Sequence, residues 1–443
     1  MLLSGKHKFL VAVLAGILAC APLSFAQTTT LHLSVDDAVK HALDGNITVK
    51  KGALALRSSE RDKKYSWNSL SPSINANAGI SKEFPARGLL KSDADFSSDP
   101  TVTIGASATI RFSPSLITTV KGAALNYEKQ LIDYDTAKRT IELNVRKAFY
   151  AILYEQENIE LQKKNVESAK SQYSSNLTRY NRGLLPRLDV LNSQLAYQNA
   201  KLSLDNAELT LVNDKASFKL LLGVDLDSDI VLSGNLEDVL SLGDISIDSL
   251  EQHSSTIASI QKQIEIARNG LLATRLGAYA PSLTGGYSYN LSRTLSDSSD
   301  WLQNGTLSLG VSIPLDGYLP WSSGAQSIAN QKDNLETLEL ELENERRSLK
   351  ITTQQNVNKI KLLQSTVEVR RQSIDYSQQA WRMTRDAYNN GTKDLLALQT
   401  ASDNLLSAQV NLKSSAYNLA TAILDLEDTI GVPFGTLLQK KGE

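Results

Sequence analysis

Two stretches of the chain, residues 115–182 and 322–390, contain no proline and a single glycine each, Gly122 and Gly324. Nothing in either stretch interrupts a helix, and at about 1.5 Å per residue each predicts a rod of about 100 Å. Such a rod does not fit inside a globule, so it must be stabilised by packing along its side. In the first stretch apolar residues recur every seven positions: Tyr127, Tyr134, Ile141 and Ala148, then Val145, Ile152, Ile159, Val166, Tyr173 and Tyr180. That pattern is a coiled-coil seam that shifts partway along.

The second stretch repeats the first. Tyr180-Asn181-Arg182-Gly183 ends one and Tyr388-Asn389-Asn390-Gly391 ends the other, an offset of 208 residues (391 − 183). Ile360, Val367, Ile374, Trp381 and Tyr388 fall at the places of Ile152, Ile159, Val166, Tyr173 and Tyr180. Past the glycines, Ala200, Leu204, Leu211 and Gly223 match Ala408, Leu412, Leu419 and Gly431. A period this long marks a duplicated structural unit, not a short solenoid module. Returning helices are expected over 187–222 and 394–430, where rows of alanine such as Ala196-Ala200-Ala207 permit close helix approach.

Ahead of each rod the period changes to two. Ile74, Ala76, Ala78 and Ile80 alternate with Ser73, Asn75 and Asn77, and Val102, Ile104, Ala106, Ala108 and Ile110 alternate with Thr101, Thr103, Ser107 and Thr109. Leu283, Tyr287, Tyr289 and Leu291, then Leu307, Leu309, Val311 and Ile313, repeat the device in the second half. Strands are therefore expected at 70–81, 101–113, 281–293 and 305–315, each with one apolar and one polar face, with Pro114 and Pro314 leading into the rods. Their length suffices to cross a bilayer when tilted. A pair of soluble hairpins is the plainer alternative, but an isolated hairpin is marginally stable and nothing else in the chain supplies a sheet for it to join.

Residues 1–26 read as an export signal: Lys6 and Lys8 precede the apolar run Phe9 to Leu18, and Ser24-Phe25-Ala26 offers a cleavage site. A competing cut at Cys20, within Ile17-Leu18-Ala19-Cys20, would lipidate the chain, although Leu18 is bulky where a small residue is usual. Two repeats then follow, 27–240 and 241–443, each with a leading helix, two strands, a long helix and a return helix. Beyond the signal there is no run of ~20 apolar residues, so a membrane crossing would have to use strands.

Residues with the spacing that chemistry requires are missing. Cys20 is the only cysteine, and His7, His32, His41 and His253 are scattered, which leaves no metal-ligand set. No nucleophile elbow or phosphate-binding glycine loop occurs, so neither an enzyme nor a cofactor is expected. Asp225-Leu226-Asp227-Ser228-Asp229 lacks the glycine and closing glutamate of a calcium loop and reads as a solvated turn. Without the two signal lysines the charge is 44 − 48 = −4, which gives no reason to expect a nucleic acid partner.

Taken together, the order and spacing of these pieces resemble the outer-membrane efflux protein family, the TolC-like channels. The likeness rests on Leu33-Ser34-Val35-Asp36-Asp37-Ala38 followed by Ala42 and Asn46, on Ala280-Pro281-Ser282-Leu283, and on Ile313-Pro314-Leu315-Asp316-Gly317. Above all it rests on Tyr180 and Gly183 with Asp189-Val190-Leu191 and Gln194. The resemblance implies a mainly α fold with a small β part: a homotrimer whose twelve strands form a barrel in outer-membrane lipid, continued by a helical tunnel through the periplasm. It further implies an exit duct for efflux or type I secretion, joined to a periplasmic adaptor (membrane fusion) protein and an inner-membrane pump of RND or ABC type. The hairpin tips, with Tyr180, Gly183, Leu184, Leu185, Tyr388, Gly391 and Thr392, become the expected adaptor-docking region. Asp189, Tyr388, Lys393, Asp394 and Asp403 become gating candidates. Read from the residues alone, Tyr180 and Tyr388 end the seam and Asp189 caps its helix. Two departures stand out: Ala397 occupies the place that matches Asp189, and Ile47 follows Asn46 where the family usually has proline.

A periplasmic adaptor or coiled-coil scaffold is the competing class, since it too needs a long helical hairpin. An adaptor uses one hairpin plus lipoyl-like and soluble barrel modules. This chain has two hairpins and no spare segment for such modules.

Overall fold

The computed structural model describes residues 30–82, 99–236, 254–295 and 300–437. The expected export signal, Cys20, His253 and parts of the two inter-strand loops lie outside them. In chain order the elements are β1 (Thr30–Leu33), α1 (Val35–Gly45), α2 (Ile47–Tyr65), β2 (Ser73–Ser81), β3 (Thr101–Phe112), α3 (Ser115–Asn181) and α4 (Arg187–Leu222). There follow β4 (Asp229–Leu232), α5 (Ser255–Tyr279), β5 (Ser282–Thr294), β6 (Leu302–Ser312), α6 (Ser323–Asn389) and α7 (Leu395–Ile430). The duplication is retained in three dimensions: α3 and α6 both have 67 residues, α4 and α7 both 36.

Local chemistry sets the breaks. Ser34 caps α1 in a reciprocal box with Asp37, and Asn46 ends α1 and caps α2 by accepting the Thr48 N–H at 2.8 Å. The same Asn46 donates its amide to the Leu221 carbonyl at 2.8 Å, joining the head of α2 to the foot of α4. Gly45 and Gly223 must be glycine for this approach, because a Cβ on either would come within 2.4 Å of the other segment's backbone. Each return helix ends on a left-handed glycine, Gly223 (φ 70°) and Gly431 (φ 77°).

The helices lie side by side. In the half nearest the tips the order is α4, α3, α7, α6, and in the half nearest the sheet it is α2, α3, α5, α6. Each long rod thus serves two shorter partners end to end, which explains the shift in its seven-residue seam. The largest core sits midway, where Val145, Phe149 and Ile152 of α3 meet Phe218 and Leu222 of α4, with Leu33 and Ile230 above. A second core joins Ile360 and Val367 of α6 to Leu419, Ile423 and Leu426 of α7.

The strands form one antiparallel sheet in the order β2-β3-β5-β6, so the two hairpins pair with each other through β3 and β5. Register keeps the faces separate. Ile104 lies opposite Ala78 and Leu291, and Tyr287 lies opposite Ala108 and Leu307. Ser107 lies opposite Asn75 and Ser288, with Ser288 in turn opposite Thr306. Among the described residues nothing covers the apolar face: Leu307 is 83% exposed, Leu309 79% and Ile74 77%.

Several boundaries differ from expectation. The first strand begins at Ser73, not residue 70, because Ser66–Leu70 closes as a 3-10 turn and Pro72 lacks an N–H. The expected 281–293 and 305–315 become Ser282–Thr294 and Leu302–Ser312, the latter stopping short of Pro314. The parallel ribbon of β1 with β4 was not anticipated. Four residues are too few for alternation to register, and β4 follows directly on the acidic turn, in which Asp225 accepts the Asp227 N–H at 3.3 Å.

Candidate functional site

Both tips are built by the same backbone motif. Gly183 (φ 74°) and Gly391 (φ 77°) take the left-handed conformation after α3 and α6. In the first tip Gly183 N–H reaches the Tyr180 carbonyl at 2.8 Å and Leu184 N–H the Arg179 carbonyl at 2.9 Å. In the second, Gly391 reaches Tyr388 at 3.0 Å and Thr392 reaches Ala387 at 2.9 Å. These bonds satisfy carbonyls that the helix end leaves orphaned. Leu184 and Thr392 are exposed and Leu185 is half-buried, so each tip presents a short, accessible turn.

The side chains above the turns differ between copies. Tyr388 is buried against Leu395 and Leu398 with Trp381 beside it, whereas Tyr180 is 39% exposed. The Tyr388 hydroxyl donates to Asn176 Oδ1 at 2.9 Å, an oxygen that also accepts from Gln172 at 2.9 Å. Burial pushes the Tyr388 phenol up, the Arg179 guanidinium 5.5 Å from its ring pulls it down, and the charge of Asp189 pushes it up again. Hence Tyr388 pins α6 to α3 through Asn176, and Asp189 acts on it only through its charge. Asn176 and Gln172 were not picked out from sequence. The available signal was Asn176 three residues after Tyr173, a polar side chain where the seam calls for an apolar one.

The acidic candidates divide by role. The capping position before α4 is Pro186, which offers no side-chain cap, so Asp189 does not cap the helix; Asp189 sits half-buried in its first turn. Asp394 is the capping residue, accepting the Ala397 N–H at 2.9 Å at the head of α7. Lys393 is exposed on the turn just before it. Between the two hairpins runs a groove of about 930 Å³ lined by all four tip helices. Asp189, Asp394 and Asp403 border it together with Arg385 and Trp381, and Ser168, Ser175, Asn165 and Asn199 make its walls polar. Desolvation in the groove pushes the Asp403 carboxyl up. The groove offers hydrogen-bonding walls and a net acidic rim, suited to a polar helical partner or water rather than to bond-making chemistry. Among the described residues no cluster of metal-ligating side chains forms.

Comparison with known proteins bears on this arrangement. The sequence profile described as outer membrane efflux protein matches residues 38–224 and 246–432, one match per repeat. No curated protein sequence matches the chain. Among solved structures, the CmeC outer membrane channel of Campylobacter jejuni is 17% identical with a TM-score of 0.71, covering 92% of this chain and 87% of that one. The outer membrane protein VceC of Vibrio cholerae is 14% identical with a TM-score of 0.69, covering 90% and 96%. The open state of the MtrE outer membrane channel of Neisseria gonorrhoeae is 16% identical with a TM-score of 0.66, covering 90% and 89%. At these identities the likeness is one of fold.

Proposed function

This chain belongs to the outer membrane efflux protein family, and from that premise we propose that it is the passive exit duct of a tripartite efflux pump or type I secretion system. One observation carries the reading: an open four-stranded sheet whose apolar face is exposed, standing on rods of about 100 Å. Water would not tolerate such a face as a free surface. Lipid would accept the face but not the unpaired edges of β2 and β6, because backbone groups in hydrocarbon must be paired internally. Closure by copies of the chain answers both demands. Three copies, with four strands each, make a twelve-stranded barrel of ordinary size with its polar face inward.

In this reading the rods continue the barrel through the periplasm, and the tips at Gly183 and Gly391 receive a periplasmic adaptor. An inner-membrane pump of RND or ABC type supplies the energy. Tyr388 and its bond to Asn176 hold the tips together, with Asp189, Lys393, Asp394 and Asp403 setting the charge at the constriction. Ser, Thr and Asn on the inner face of the sheet carry no selectivity code, so cargo is chosen by the pump. A scaffold or adaptor role would leave the apolar sheet without purpose.

The test uses cysteines on opposite faces of the sheet in intact cells. Ser288→Cys and Ser308→Cys should react with a membrane-impermeant maleimide through the lumen, while Tyr287→Cys and Leu307→Cys are shielded by lipid. Equal labelling at all four positions would contradict a membrane barrel.

A further inference from the structure

Charge is almost absent from the four-stranded sheet. Its strands contain two charged residues, Arg111 and Arg293, and no acidic residue to balance them. Register places the two arginines on opposite faces and at opposite ends. Arg111 lies opposite Thr284 on the polar face, beside the rods. Arg293 lies opposite Val102, which in turn lies opposite Ile80, so it stands on the apolar face at the end farthest from the rods. Arg293 is exposed, and among the described residues none pairs with it.

The two ends of the apolar face differ in kind. At the rod end it is apolar to its last rank, Phe112, Leu283 and Val311. Toward the far end polarity enters by steps. The Tyr289 hydroxyl donates to Gln303 at 2.9 Å, and Arg293 follows on the same face. Exposed Trp301 stands one step past the Ser292–Leu302 pair, level with Arg293, and Lys82 directly follows β2. Tyr287 lies midway between Leu283 and Leu291, and from it to Arg293 is about 20 Å along a strand, or about 14 Å of depth at a tilt of ~45°. That depth is roughly half the hydrocarbon thickness, so Arg293 emerges where acyl chains give way to head groups.

A guanidinium at the edge of hydrocarbon extends its charged end outward, away from the acyl chains. On this side of the barrel wall the groups it reaches are lipid head groups. Phosphate suits it best, because the planar fork offers two parallel N–H donors to one phosphate. Lys82 adds a second cation two strands across and two residues farther out, with its Cα about 12 Å away. Both side chains are thus within reach of a single head group that carries more than one phosphate. The amphipathic indole of Trp301 suits the same boundary.

We propose that Arg293, with Lys82 and Trp301 beside it, forms a site on the outer wall of the barrel for a phosphorylated glycolipid of the outer leaflet. The Arg293 guanidinium holds a head-group phosphate, and the acyl chains lie down the apolar face along Leu291 and Ile104. The proposal rests on the membrane duct described above and deepens it by naming the lipid that the duct holds. It accounts for the asymmetry of the face: the end toward the rods meets the inner leaflet and carries no cation, whereas the far end meets the outer leaflet and does. Each copy carries its own site, and the bound lipid fixes the depth of β5 in the bilayer.

The test is native mass spectrometry of the purified, delipidated oligomer titrated with lipid A, and separately with dephosphorylated lipid A and with phosphatidylglycerol. The unaltered protein should bind one lipid A per copy, and the other two probes about tenfold more weakly or worse. Arg293→Gln should weaken lipid A binding by about tenfold or more. Arg111→Gln, which removes the same charge from the other face, should leave it unchanged. Dephosphorylated lipid A bound as tightly as lipid A overturns the site on unaltered protein alone, even where a variant fails to assemble. Undiminished binding to Arg293→Gln, or an equal loss in Arg111→Gln, also overturns it, and phosphatidylglycerol bound as tightly as lipid A overturns the glycolipid assignment. In each of these cases an oligomer of unchanged mass, extracted from the outer membrane, leaves the duct standing. A protein recovered only from the soluble periplasm overturns both.

Discussion

Asn46 performs two tasks with one amide, capping α2 through Thr48 and satisfying the Leu221 carbonyl at the end of α4. It is 7% exposed, so Asn46→Ala strands a carbonyl as well as a helix start and should cost about 1–3 kcal/mol, read as a lowered thermal midpoint. Ile47, by contrast, is the first residue of α2 and is exposed. That position tolerates proline, and Ile47→Pro should be neutral or slightly stabilising in the same measurement. At the tips, Tyr388→Phe removes a buried hydrogen bond worth about 1 kcal/mol. Combined with Asp189→Ala it should raise ion conductance in a planar bilayer, whereas Tyr180→Phe, at an exposed position, should leave conductance unchanged. The repeated Tyr-x-x-Gly was legible in sequence, but the difference between its copies was not. The hydrogen bond that Tyr388 makes and Tyr180 does not goes to Asn176, 212 residues away, and no local pattern encodes a contact at that separation.

At the scale of elements the long rods, their glycine turns and the alternation of the strands were all legible, because each is a periodic pattern written many times over. Pairing of β3 with β5 was not, since alternation says which face is apolar but not which strand is the neighbour. The faces themselves can be tested. Leu307→Lys places a charge toward lipid near the middle of β6 and should cost about 2–4 kcal/mol, read as loss of protein assembled in the outer membrane, while Thr306→Lys on the polar face assembles normally. The end of α7 makes a separate prediction. Buried Glu427 accepts the N–H groups of Gly435 at 2.9 Å and Leu437 at 2.6 Å, and Arg139 holds the Glu427 and Val432 carbonyls at 2.6 Å and 2.7 Å. Burial pushes the Glu427 carboxyl up despite these donors and the nearby Arg146 and Arg139. The folded chain therefore holds this proton more tightly than the unfolded chain does. Its stabilising effect is complete below the ordinary carboxylate range and is lost as pH rises through the raised value. Relative to Glu427→Gln, the thermal midpoint of the unaltered protein should fall as pH rises through that window.

For the whole molecule, the four-strand sheet and the exposed apolar rows on α4 (Leu188, Leu195, Leu202) and α6 (Leu362, Val369, Tyr376) are incompleteness of two kinds, one of backbone pairing and one of apolar cover. In the proposed duct duplication accounts for both, because a chain with two similar halves lays down one half-to-half contact internally and leaves the equivalent contact to another copy. Such a head-to-tail contact closes into a ring if its rotation permits and otherwise runs on as a filament. The direct measurement is a cryo-electron microscopy reconstruction of the protein extracted from the outer membrane into a lipid nanodisc. The expected result is three copies, with β6 of each hydrogen-bonded to β2 of the next in a closed barrel within the disc, and rods projecting about 100 Å beyond it. A single copy, or a sheet lying outside the lipid, would contradict the account.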